Sequence, residues 1–327
     1  MLSDLITQFH NAGWMPTDNI ARSYVRYRTE NAPEGVYKHL GGHSVARLSV
    51  IIPTADADRG GYFQNLLQQI NVQSFRDYEL IVVKGDCRQG RSINVGADLA
   101  HGEYILTLDD DSSLPDQETF RKLINVIDAN LDIGMAGGNN TIPYSASPFV
   151  KRVMRQLPRR SWDPVMQITD SDLVEHGCLI MRTLDFKAVG GENELIPRGL
   201  DPYLRQEFRK LGKRVVLIPG VIYHHLPPGS WNKLLRQFYR NGQQAAFVNR
   251  HYPQWMIETP AEHGVFKARR PFIFRVFRFP GRLLKALVTG KTVFFLCEAV
   301  YAAGFITEVL YSLYSVRRSN GRAPAQE

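Results

Sequence analysis

Three short apolar runs, each ending in a polar corner, constrain this chain more than any other feature. They are "RLSVIIPT" (47–54), "YELIVVKG" (78–85) and "EYILTLDDD" (103–111). Each has the length and β-branched content of a buried strand. Between the first two, "YFQNLLQQINVQSF" sets Phe63, Leu66, Leu67 and Ile70 at helical spacing; between the second and third, "GRSINVGADLAHG" reads as a short helix ending near Gly102. Strands alternating with helices imply βαβ units and a mostly parallel sheet with helices on both faces. Ligands of such sheets bind beyond the carboxyl ends of the strands. Three corners therefore converge on one edge: the loop after Pro53-Thr54, the segment around Asp86, and the run Asp109-Asp110-Asp111.

The pattern continues. "PDQETFRKLINVIDAN" is predicted as a helix, with Pro115 in its first turn and Asp116 and Glu118 at the positive end of its dipole. "CLIMR" (178–182) and "RVVLIPG" (214–220) are predicted strands. "LDPYLRQEFRKLG" between them is a helix with Leu204, Phe208 and Leu211 inward, Asp201 as its N-cap and Pro202 at its first helical position. The expected organisation is an extension over 1–44, polar with helical pieces at best, an α/β catalytic domain over 45–228, and a helical region over 229–327. A chain of 327 residues accommodates this. Its formal net charge of +8 points to an anionic partner. Cys87, Cys178 and Cys297 are scattered, with neither zinc spacing nor a disulfide framework, so a reducing compartment is expected. The N-terminus lacks the basic and apolar regions of a secretory signal.

Adjacent carboxylates at a ligand-binding edge repel one another unless a cation sits among them. Mg²⁺ and Mn²⁺ take oxygen ligands and are commonly held by one or two carboxylates plus substrate phosphates. In an extended segment Asp109 and Asp111 face one way and Asp110 the other. The competing reading is an acidic turn that caps the next helix through Ser112 or Ser113.

With these residues in place, "LSVIIPT", "YELIVVKGD" and "GRSINVGADLAHGEYILTLDDD" together resemble the nucleotide-binding half of family 2 glycosyltransferases of the GT-A fold, and "GLDPYLRQEFRKLGKRVVLIPGVIYHH" resembles their acceptor half. The likeness covers roughly residues 47 to 245. It implies an inverting transfer from a nucleotide sugar, with a UDP-sugar the expected donor, assisted by Mn²⁺ or Mg²⁺. Asp109 and Asp111 would form the DxD motif, Asp111 on the metal and Asp109 nearer the ribose. Pro53, Thr54, Asp86, Arg91, Asn94 and Asp110 would line the nucleotide, and Gln237 and Arg240 of "RQFYRNG" would contact the diphosphate. Here the chain departs from the family: Lys84-Gly85-Asp86 stands where adjacent acids are usual, Leu200 replaces the glutamate of a Glu-Asp pair, and Asn241 replaces a tryptophan. The retained Asp201 would be the base that takes the acceptor hydroxyl's proton. One of His224 and His225 would supply a third metal ligand, and His176 and Glu192 would contact the acceptor.

The end of the chain differs. Residues 265–291 carry eight Lys or Arg and no acid, interleaved with phenylalanines, and Pro271 and Pro280 are expected to break the stretch into pieces. Nucleic-acid binding is the weaker reading; a peripheral helix on an anionic membrane is the stronger, with Arg269, Arg270, Phe272, Phe274, Arg275, Phe277 and Arg278 at the surface. Segment 292–316 is long enough to span, but Glu298 and Glu308 interrupt it, which favours helices lying on the bilayer. The resulting expectation is a peripheral glycosyltransferase on the cytoplasmic membrane face with a lipid-linked or polysaccharide acceptor. Its rivals are a polyprenyl-phosphate sugar synthase, which needs no base, and a non-catalytic nucleotide-sugar or membrane-binding module.

Overall fold

The computed structural model describes residues 35–40, 46–86, 88–257 and 272–320. Cys87, Arg269 and Arg270 lie outside them, as do the side chains of Phe272 and Arg275. The described chain forms two compact units, one of residues 35–145 and 158–226, the other of 146–157, 227–257 and 272–320.

The first unit is a mixed sheet. Its strands are β1 (Gly35–Leu40), β2 (Leu48–Thr54), β3 (Tyr78–Lys84), β4 (Tyr104–Thr107), β5 (Ser112–Ser113), β6 (Ile133–Asn140), β7 (Thr169–Asp170), β8 (Leu179–Arg182) and β9 (Arg214–His225). The order is β1-β3-β2-β4-β8-β6-β9-β5, with β7 also paired to β9. The three apolar runs of the sequence are β2, β3 and β4, and β2 lies parallel to both neighbours. Each run splits between two cores. In β2, Leu48, Val50 and Ile52 face one side and Ile51 the other; in β3, Leu80 and Val82 oppose Ile81 and Val83. A strand buried on both faces needs no polar alternation, hence the continuous apolar runs.

Helices α1 (Tyr62–Asn71) and α3 (Thr119–Ala129) cover the first face through Phe63, Leu66, Leu67, Ile70, Phe120, Leu123, Ile124 and Ile127. Helices α2 (Gln89–Leu99), α5 (Thr183–Ala188) and α6 (Leu200–Lys210) cover the second, through Ile93, Phe186, Leu204 and Phe208 among others.

Several expectations change. Residues 35–40 form a strand antiparallel to β3, where helical pieces were expected. Strand β8 runs antiparallel to both neighbours. Helix α3 starts at Thr119, because Asp116 turns its carboxylate to the Glu118 amide and ends the approach there, so Pro115 precedes the helix. Leu211 is the C-cap of α6 and is exposed, since the helix stops at Lys210 and turns it out of the core.

The second unit is helical: α4 (Pro148–Gln156), α7 (Trp231–His251), α8 (Phe272–Val288) and α9 (Thr292–Asn320). Ser147 caps α4 by accepting the Val150 amide at 3.2 Å, with Pro148 in the first turn. Val153, Leu157, Leu234, Val293 and Cys297 form its core. Helices α7 and α9 cross at Gly242 and Gly304; a Cβ on either would sit 2.0 Å from a backbone oxygen of the other helix, that of Tyr301 or Tyr239. Pro280 lies inside α8 and does not end it: a proline forfeits one intrahelical bond, and the segment on each side continues the turn.

Candidate active site

The site lies at the carboxyl edge of the sheet. Strand β4 ends at Thr107, and the chain turns through Asp109–Asp111 before pairing as β5 with the last residues of β9. The pairing sets Ser112 opposite His225 and Ser113 opposite His224. That short bridge brings an imidazole from a distant part of the sequence against the aspartates. Alternation along β9 decides which one. The His225 Nε2 lies 3.1 Å from Asp111 Oδ1, and its Nδ1 lies 3.8 Å from Asp109 Oδ2. The His224 ring is turned to Thr141, whose carbonyl lies 2.9 Å from its Nδ1.

Asp109, Asp111 and His225 each offer a ligand atom, and these atoms lie within 4.8 Å of one another. Asp110 points elsewhere, accepting a 2.7 Å hydrogen bond from the Thr54 hydroxyl at the end of β2. It does so within a turn rather than an extended strand. Neither Ser112 nor Ser113 caps α3, whose N-cap is Glu118.

Crowding sets the charge states. Burial pushes the Asp109 carboxyl up to about 6, with the His225 charge opposing and Asp111 adding to the rise. Burial also works to raise Asp111, but His225 and Arg59 outweigh it and hold that carboxyl well below the usual range. Burial depresses His225, yet the two carboxylates carry it up to about 9.

Two residues that the sequence reading passed over hold this cluster. Arg59 reaches from the loop after β2, with Nε 3.1 Å from Asp110 Oδ1 and Nη2 3.1 Å from Asp111 Oδ2. Gln89, the first residue of α2, donates from Nε2 to Asp109 Oδ1 at 2.7 Å. Position after a strand's carboxyl end was the available signal for both.

A second cluster lies deeper. His176 is 2% exposed, its Nδ1 2.9 Å from the Thr107 hydroxyl and its Nε2 2.8 Å from Glu192 Oε1. Its backbone N–H donates to Asp201 Oδ1 at 2.9 Å. Asp201 is therefore not the N-cap that was expected: Gly199 takes that place, and Asp201 sits inside the first turn of α6 with its carboxylate committed to another segment. Its side chain keeps 30% of its surface open. Burial tends to raise its carboxyl, but His176 and Arg205 lower it, so it is ionised at neutral pH. The same carboxylates raise His176 to about 9 against its own burial, with Glu192 the strongest. Glu192 is 3% exposed and paired with the ring, behind Asp201 rather than at an open surface.

The remaining candidates are placed as follows. Thr54 is buried beside Asp110, and Pro53 precedes it on β2. Asp86 is buried and engaged by Arg88, with Nε and Nη2 at 3.0 and 2.9 Å from its two carboxylate oxygens, and Arg91 lies 3.6 Å away. Asn94 ties α2 to the loop before α6, donating to the Glu192 carbonyl at 3.0 Å and accepting the Glu192 amide at 2.8 Å. That clasp requires Gly191, which has a φ of +72° and no room for a Cβ, since one would lie 2.6 Å from Asn94 Oδ1. Gln237 and Arg240 lie on α7 of the second unit, half-buried and exposed respectively.

No protein-family model and no curated protein sequence matches the chain. Solved structures resemble it. The mannosyltransferase PcManGT from Pyrobaculum calidifontis, in complex with GDP-Man and Mn²⁺, covers 88% of this chain and 92% of its own at 12% identity, with a TM-score of 0.52. TarS 1–349 from S. aureus, in complex with UDP-GlcNAc, covers 79% of this chain and 81% of its own at 16% identity, with a TM-score of 0.45. At such identities the first likeness defines the fold, an α/β sheet of the kind found in glycosyltransferases, and the second carries no argument of its own.

Proposed function

We propose that the chain is a metal-dependent, inverting glycosyltransferase that moves a sugar from a nucleotide donor to a lipid-linked or polysaccharide acceptor at the cytoplasmic membrane face. The observation that carries the reading is the convergence of Asp109, Asp111 and His225 at the sheet edge, with Asp201 ionised and part-open beside them. The fold shared with a structure that holds GDP-Man and Mn²⁺ supports it.

Asp109, Asp111 and His225 are the residues that would hold a divalent cation. Two carboxylates suit Mg²⁺ or Mn²⁺, and the imidazole moves the preference toward Mn²⁺. A cation held by them would supply the positive charge that neutralises a diphosphate leaving group. Asp201 takes the proton from the acceptor hydroxyl as that oxygen attacks the anomeric carbon. The His176 amide fixes one oxygen of Asp201, and the side chain's solvent-reaching surface leaves the carboxylate accessible to an acceptor. His176 and Glu192 serve as positioning residues, not acceptor contacts: Glu192 holds the His176 ring, and the His176 charge and amide keep Asp201 ionised and oriented. Asn94 and Gly191 hold the Glu192 loop in place.

The membrane assignment rests on the second unit. On α8, Ile273, Val276, Phe277, Leu284, Leu287 and Val288 are exposed and lie along one stripe at helical spacing, with the exposed Arg278 and Lys285 to one side of it. Thr292–Leu313 of α9 is long and apolar enough to cross a membrane. Each basic residue at an anionic surface contributes about 1 kcal/mol.

The test is transfer from labelled nucleotide sugars by wild type and Asp201→Asn. Metal-dependent release of nucleoside diphosphate that collapses in the variant supports the reading. Near-full activity of Asp201→Asn would instead select a phosphate acceptor that needs no base, and no turnover of any nucleotide sugar would leave only a binding module.

A further inference from the structure

The aspartate cluster is electrically crowded in a way that the proposed metal reading does not by itself explain. Both oxygens of Asp111 are engaged: Oδ1 by His225 at 3.1 Å, Oδ2 by Arg59 at 3.1 Å. Asp110 shares the same guanidinium, and Gln89 takes Asp109 Oδ1. A divalent cation seated among Asp109, Asp111 and His225 would therefore meet a positive charge already on its ligand.

His225 is fixed at the end of β9 by the β5 pairing and by its backbone amide, which donates to Asn140 Oδ1 at 3.1 Å. Arg59 is different. Its side chain is 51% exposed, it is long, and it hangs from a loop rather than a strand. That loop is bent to deliver it: Ala57, Arg59, Gly60 and Gly61 all take left-handed φ values, of 59°, 51°, 68° and 88°. Left-handed backbone at a residue with a side chain is uncommon and concentrates at functional sites. Asp56 and Asp58 hold the turn, Asp56 accepting the Asp58 and Arg59 amides at 3.0 Å and Asp58 accepting the Gly60 amide at 3.2 Å.

Arg59 answers two of the three carboxylates, and a nucleoside diphosphate would bring further negative charge to the same edge. The Arg59 guanidinium is exposed enough to follow that charge, and its planar fork matches phosphate oxygens.

We propose that Arg59 is an exchangeable counter-ion: it holds the aspartates while the metal site is empty of nucleotide, opposes metal binding in that state, and transfers to the donor's diphosphate once the nucleotide arrives. This couples the two ligands, so that metal and donor favour each other. The proposal rests on the metal-site reading above, and its test separates the two.

The experiment is Mn²⁺ titration followed by electron paramagnetic resonance of the free ion, on wild type, Arg59→Gln and Arg59→Lys, first without nucleotide and then with GDP or UDP. Removing one exposed but doubly paired charge should tighten Mn²⁺ binding without nucleotide roughly two- to fivefold in Arg59→Gln. The same variant should bind the nucleoside diphosphate more weakly at saturating Mn²⁺, by about tenfold or more, since hydrogen bonds to charged groups are lost. Arg59→Lys should keep the weak Mn²⁺ binding of wild type but recover only part of the nucleotide affinity. Equal or weaker Mn²⁺ binding by Arg59→Gln without nucleotide overturns the exchange while leaving the metal site intact. Failure of wild type and variants alike to bind Mn²⁺ overturns both.

Discussion

In the first unit the apolar side chains fill a core on each face of the sheet, and at the carboxyl edge a group of carboxylates is answered by His225 and Arg59. In the second unit the order is reversed along α8: the apolar stripe from Ile273 to Val288 is exposed, and Arg282 bridges to Glu298 of α9 at 2.9 Å. Under the proposed reading, donor chemistry belongs to the sheet edge and membrane attachment to the helices, so mutation should separate the two.

The largest effect is expected at the edge. Replacing both Asp109 and Asp111 with asparagine removes the metal's carboxylates, and transfer should fall by roughly a thousandfold or more, the equivalent of several kcal/mol. Liposome binding should be untouched; if it falls in step, the two units are not independent in function. Asp201→Asn should cost about a hundred- to ten-thousandfold in turnover while nucleotide affinity stays at the wild-type value.

A mirror-image result is expected from the helices. Phe277→Asp combined with Leu284→Asp exchanges two exposed apolar groups for charges; burying each such side chain is worth about 1.5–3 kcal/mol, so partition onto anionic vesicles should drop by tenfold or more. Mn²⁺-dependent nucleotide binding in solution should not change. Retention of full vesicle binding would remove the membrane role of this face.

The smallest effect sharpens the inner half of the site. His176 is raised to about 9 in the folded chain from an ordinary value near 6.5, chiefly by Glu192 working against burial. A raised folded value stabilises fully below the unfolded value and is lost as pH climbs through the folded one. Relative to His176→Gln, wild type should therefore have its greatest advantage at and below about pH 6 and lose most of it by about pH 9. A gap in melting temperature that stays flat across that window would show the pair to be neutral.

Much of this was legible in the sequence because burial on both faces leaves a plain signature. The runs that became β2, β3 and β4 are predominantly apolar, and Asp109, Asp111 and Asp201 stand beyond a strand end or at a helix start. What escaped notice has physical reasons. Strand β6, "IGMAGGNN", is fully buried but carries three glycines, because Val174 and Tyr223 pack so close that a Cβ at Gly137 or Gly138 would crowd them. β1 is an edge strand of mixed composition, tied to the sheet in part by Lys38, whose ammonium pairs with the buried Glu79 at 2.6 Å, a contact across distant sequence. The choice of His225 over His224 depends on a two-residue bridge at Ser112 and Ser113, too short to show a period. Arg59 depends on left-handed backbone that no local motif declares.

The most direct measurement is the melting temperature of the full chain with GDP, UDP or dTDP, each with and without Mn²⁺, in wild type and in the Asp109→Asn/Asp111→Asn double variant. A ligand that binds only the folded form raises the transition, by an amount that grows with its concentration over Kd. The account predicts a rise for at least one nucleotide that requires Mn²⁺ and disappears in the double variant. A rise that is the same without metal, or that survives loss of both carboxylates, would contradict it.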